Sequence, residues 1–131
     1  MPRRARKARR LLVGEETYLW SVGHSHRVVE GGGYQGCAES LTMRRHGARG
    51  SLRVTFAVGP GRYVPDGIYM PSGAVATDEA SLNLYEPGTA RAVLDAALAA
   101  GWDPDAPPRL LLDGWTLFPT VTACRAAPPE G

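Results

Sequence analysis

Leu52-Arg53-Val54-Thr55-Phe56-Ala57-Val58 sets four large apolar side chains in strict alternation with Arg53, Thr55 and Ala57. A period of two marks a strand with one face in the core and one in water, the pattern of antiparallel sheets. The neighbouring segments must then supply partner strands and a cover for the apolar row.

Upstream, Thr17 to Val28 carries Tyr18, Trp20, Val22, His24, His26 and Val28 on one side of a second alternating run. The short apolar stretch from Arg10 to Val13 meets it through Gly14-Glu15-Glu16, so a hairpin with a long second strand is expected. The glycine-rich stretch from Glu30 to Gly36 breaks the pattern. Cys37 to Arg45 alternates less cleanly, with Leu41 and Met43 inward; a strand is expected there and a helix is the alternative. His46-Gly47-Ala48-Arg49-Gly50 forms the turn into the opening strand.

Downstream, Gly59-Pro60-Gly61, Pro65-Asp66-Gly67 and Pro71-Ser72-Gly73 punctuate a long excursion that ends near Ala80. Leu82 and Leu84 suggest a short strand. Pro87 to Ala100 reads as a helix, with Pro87 in its first turn, a stripe of Ala90, Val93, Leu94, Ala97 and Leu98, and Gly101 placed for a left-handed cap. Trp102 should fold back onto the last turn. After the proline-rich link from Asp103 to Pro108, the apolar segment from Leu110 to Phe118 is interrupted by Asp113-Gly114, a frequent hairpin pair, which predicts one or two closing strands. The expected architecture is α+β: a curved antiparallel β-sheet of about five to seven strands, with one main amphipathic helix over about residues 87–100 packed on one face. Residues 11–125 form the single domain, 1–10 a flexible basic arm and 126–131 a Pro-rich tail.

The chain has 131 residues, 44% hydrophobic and 21% charged, the balance of one ordinary globular domain. It has no apolar run of about 18 residues and no apolar region behind the N-terminal arginines, so a cytoplasmic location without membrane contact is expected. Cys37 and Cys124 are too few and too far apart for a disulfide framework, and reduced thiols are the default.

Charge is the most directional signal. Arg3, Arg4, Arg6, Lys7, Arg9 and Arg10 make six of the first ten residues cationic, while residues 11–131 hold nine arginines against thirteen carboxylates. A basic arm on an acidic body suits a polyanion. The arm, with Arg44, Arg45 and Arg49 around the turn, forms a candidate nucleic-acid contact, and Arg53 completes that second cluster. Arginine forks match phosphate oxygens. With no aromatic residue in the arm and no recognition-helix pattern, such contact would not read sequence. Fourteen of the fifteen basic residues are arginine and alanine, glycine and proline abound, a coding bias that lowers the weight of any one arginine.

Other patterns carry less. Gly31-Gly32-Gly33-Tyr34-Gln35-Gly36 matches G-x-G-x-x-G, but no helix opens there and Phe56 stands where an acidic partner would be needed. His24 and His26 share a strand face and, with Cys37, are candidate metal ligands, although the spacing to Cys37 and His46 fits no familiar ligand set. Glu15-Glu16, Asp78-Glu79 and Asp103/Asp105 read as solvated turn acids, and no nucleophile motif occurs. Tyr34, Tyr63, Ile68, Tyr69 and Met70 on or beside loops are candidate protein-interface residues.

Three functions follow: a small intracellular non-enzymatic protein-binding module of the adaptor, accessory or immunity type; a nucleic-acid-associated protein using its basic arm; and a small metal-dependent enzyme around the His-x-His pair. The first is the leading expectation. No cofactor is expected, and the expected partner is another protein or a second copy, with nucleic acid as the alternative.

Overall fold

The computed structural model of the chain describes residues 8–28, 31, 34–65 and 71–126. It is α+β. In chain order the elements are β1 (Arg9–Val13), β2 (Glu16–Val28), β3 (Tyr34–Arg45), β4 (Leu52–Ala57), β5 (Arg62–Tyr63), β6 (Ala74–Thr77), β7 (Ser81–Asn83), α1 (Pro87–Ala99), β8 (Leu110–Asp113) and α2 (Gly114–Ala126). The main sheet runs β1-β2-β3-β4-β8, and β5-β6-β7 form a smaller second sheet. Residues 37–45 are strand, as the alternation around Leu41 and Met43 predicts.

The register explains which residues are buried. Trp20 stands opposite Met43, Met43 opposite Leu52, and in the next inward row Val22, Leu41 and Val54 are aligned. All six are buried, and with Phe56 they join residues of both helices in one apolar cluster. Each such side chain contributes about 1.5–3 kcal/mol when removed from water. Leu52, Val54 and Phe56 are inward, as expected, whereas Val58 lies past the end of β4 and is about half exposed.

Helix α1 follows its sequence signals closely. Pro87 occupies the first turn, and Ala90, Val93, Leu94 and Ala97 are buried. At the C-terminus, Gly101 has φ +107°, its N–H donates to the Leu98 carbonyl at 3.1 Å, and the Trp102 N–H donates to the Ala97 carbonyl at 3.0 Å. That pair of bonds is a Schellman cap. It turns Trp102 into the core beside Tyr18, ring centres 6.2 Å apart. Leu98, expected on the apolar stripe, is instead 37% exposed. Ala92 and Ala96 are buried in addition, because α1 also packs against α2.

Three expectations need correction. The sheet is mixed rather than wholly antiparallel, since β8 lies parallel to β4, with Leu52 opposite Leu110 and Val54 opposite Leu112. Asp113-Gly114 is not a hairpin turn, and a second helix replaces the second closing strand. Asp113 caps that helix: its Oδ1 accepts the Trp115 N–H at 3.0 Å, the side-chain capping bond that aspartate supplies at a helix start. Gly114 then lies so close to β4 that a Cβ would meet the Phe56 ring at 2.5 Å. Trp115 fastens the contact, its indole N–H donating to the Ala57 carbonyl at 2.8 Å and its ring meeting Phe56 edge-on at 5.2 Å.

Candidate nucleic-acid interface

The inward rows bury one face of the main sheet, and strand alternation sends every intervening side chain to the other. Arg10 on β1 stands opposite Leu19 on β2, and Leu19 opposite Arg44 on β3. One pair beyond Met43, Leu52 and Leu110, the same line reaches Ser51 and Arg109, joined by a bond from Arg109 Nε to Ser51 Oγ at 3.1 Å. A second line runs Ser21, Thr42, Arg53, Leu111. Strands lie about 4.8 Å apart, so Arg10, Arg44 and Arg109 recur at roughly 10 Å intervals across the sheet.

These four arginines are exposed, whereas Leu19, Ser21 and Thr42 between them are half-buried. No carboxylate occurs in the two lines among the described residues. The nearest on this parity is Asp113, opposite Thr55 in the following line, and its Oδ1 is occupied as the α2 cap. A depression of about 130 Å³ lies in the middle of the face, lined by Leu19, Ser21, Thr42, Arg44, Ser51 and Arg109 among others, again without an acid. Guanidinium forks with hydroxyls between them can bind phosphate oxygens, and no aromatic ring in these lines is available to stack on a base.

The residues marked from sequence divide between this face and other places. Arg10 and Arg44 are on it. Arg45, one residue further, points the other way, ion-paired with Asp105 and 3.7 Å from Glu16 Oε1. Its bond to Asp105 raises the already high pKa of its guanidinium. Arg9 is also turned inward, stacked over Trp20 at 4.6 Å and donating to the Tyr85 carbonyl at 2.6 Å. Arg49 is exposed in the turn after β3. Arg3, Arg4, Arg6 and Lys7 lie outside the described residues, as do Ile68, Tyr69 and Met70. Tyr34 begins β3, but its side chain is not described. Tyr63, 43% exposed, donates its hydroxyl to Asp78 at 2.8 Å, and that bond raises its pKa. Sequence reasoning missed Arg109. Its signal was phase: it immediately precedes an inward leucine, so it belongs to the outward row.

The metal candidates sit at the far end of β2 and β3, where His24 has the inward parity and His26 falls at a register shift between Ser25 and Arg27. His24 Nδ1 is bonded to Glu39 Oε1, and the other Glu39 oxygen accepts the Gly73 N–H at 3.0 Å. The His24 and His26 ring centres are 5.1 Å apart. Cys37 is buried on β3. Among the described residues, no group of three or more His, Cys, Asp and Glu side chains is arranged to hold a metal ion. A larger concavity, about 450 Å³, lies between α2 and the second sheet and presents Asp78 and Glu79 beside Phe118 and Pro119. Its charge is opposite to that of the open sheet face.

Comparison with protein-family models, with curated proteins and with solved structures finds no match to this chain. No helix among the described residues is long and apolar enough to cross a membrane.

Proposed function

We propose that the chain binds nucleic acid through the phosphate backbone, without reading sequence, on the open face of its main sheet. The observation that carries this reading is the line Arg10, Leu19, Arg44, Ser51, Arg109, flanked by Arg53, with no carboxylate in either line among the described residues. Arg10 stands in this line on β1, the outer strand of the sheet. Phosphate contacts position a protein on a strand, and base-edge contacts specify; this surface supplies the first kind only.

A protein-binding role remains the competing proposal. Among the described residues, the most exposed apolar side chains are divided, with Leu12 on β1 and Leu111 on β8 at opposite edges of the sheet. Stable protein interfaces centre on contiguous aromatic or aliphatic anchors. Fluorescence anisotropy of a labelled random-sequence duplex, titrated with the chain over a salt series, tests the reading. Four face phosphates at about −0.9 each predict a log–log slope at least as steep as about −3.6. Absence of binding at about 50 mM salt, where such contacts are strong, contradicts it.

A further inference from the structure

We propose that His24 and His26 form a two-imidazole site for a divalent transition-metal ion, with Glu39 as the positioning residue that sets the tautomer of His24. The site is independent of the nucleic-acid reading, because His24 and Glu39 stand opposite each other on the parity that the basic lines do not use.

Glu39 is only 1% exposed, and a carboxylate so placed is costly unless its oxygens are hydrogen-bonded. Both are used, one by Gly73 N–H and one by His24 Nδ1. An ionised carboxylate only accepts, so against it a neutral His24 holds its proton on Nδ1 and leaves the lone pair of Nε2 for an ion. This carboxylate–histidine arrangement is the one that orients metal-ligating imidazoles and raises their basicity.

His26 is two residues along the same strand, at a break in register between Ser25 and Arg27, and its ring lies beside that of His24. With a metal–nitrogen bond of about 2.1 Å and the ring centre roughly 1.1 Å beyond the nitrogen, two imidazoles spanning a tetrahedral angle have centres about 5.2 Å apart. The observed separation is 5.1 Å. His24 keeps 24% of its side chain exposed and His26 is exposed, so an ion has access from solvent. Imidazole selects zinc, nickel or copper over hard cations. With two protein ligands, the remaining positions fall to water or to a ligand carried by the ion.

Calorimetric titration of the untagged full chain with Ni²⁺ tests this, together with paramagnetic broadening of the imidazole proton signals. The expected result is one saturable equivalent, with broadening concentrated on His24 and His26 and sparing His46. His26→Gln, at an exposed position, should keep the fold and weaken binding at least about tenfold, and Glu39→Gln should weaken it about 10–100-fold with both imidazoles intact. His46→Gln should bind as the parent does. Absence of saturable binding, broadening that falls equally on His46, or parental affinity in His26→Gln overturns the proposal.

Discussion

Arg44 and Arg45 are consecutive in sequence and serve opposite faces of one sheet. Arg44 stands in line with Arg10 across Leu19 on the open face, while Arg45 crosses to Asp105 and Glu16 on the other. Strand parity alone separates them, giving one cation to solvent and committing the other to tying the link after α1 to the main sheet.

Exchanging each for glutamine should separate the two roles. Arg44→Gln should reduce the magnitude of the salt slope by about 1 and leave the urea midpoint unchanged. Arg45→Gln should leave the slope unchanged and lower the urea midpoint slightly, because the ion pairs to Asp105 and Glu16 are lost and their acidic partners are largely exposed. Equal loss of slope in both variants would show that parity does not decide which arginine meets the phosphates.

Gly101→Ala tests the cap of α1. A Cβ at φ +107° is strained whatever space surrounds it, and the Schellman bonds depend on that conformation. A loss of about 1 kcal/mol is expected in urea unfolding. Trp102 fluorescence should become more solvent-like if the cap opens.

Gly114→Ala tests the seat of α2 on β4. Its new methyl would meet the Phe56 ring at 2.5 Å, and overpacking of this kind costs about 1–3 kcal/mol. Phe56→Leu introduced with it should recover part of the loss, and additive losses would place the strain elsewhere.

The Tyr18 hydroxyl titrates above its ordinary 10.0, first because burial disfavours the phenolate and then because Glu16 repels it. The sign is that of a group whose folded pKa is raised: its contribution is fully present below the unfolded value and is lost as pH rises through the folded one. Unfolding free energy should therefore decline above about pH 10. Tyr18→Phe should flatten part of that decline; an unchanged pH profile would exclude Tyr18 as a contributor.

Much of the fold is written in local pattern. Alternation located β2 and β4, and the agreement of Pro87, the apolar stripe and Gly101 located α1, because each depends on neighbours within one or two turns. The end of the chain was misread for an equally local reason. Asp113-Gly114 is compatible with a hairpin turn and with a helix cap, and Pro119 interrupts the helical pattern that would have favoured the cap. Choosing between them requires the Phe56 ring, which is distant in sequence. The parallel pairing of β8 with β4 is likewise non-local. The basic face was half legible: Arg10, Arg44 and Arg53 were visible as charges, but their alignment needs the registers of three strand pairs, and Arg109 enters only when β8 docks beside β4.

The most direct test of the central claim compares the full chain with a variant carrying Arg44→Gln, Arg53→Gln and Arg109→Gln, with the N-terminal segment intact, by duplex-DNA anisotropy across a salt series. Three lost phosphate contacts at about −0.9 each should bring the log–log slope closer to zero by about 2.7 and weaken binding at low salt. A variant that keeps the parental slope and affinity would place nucleic-acid contact in the basic arm alone and contradict a role for the open face of the sheet.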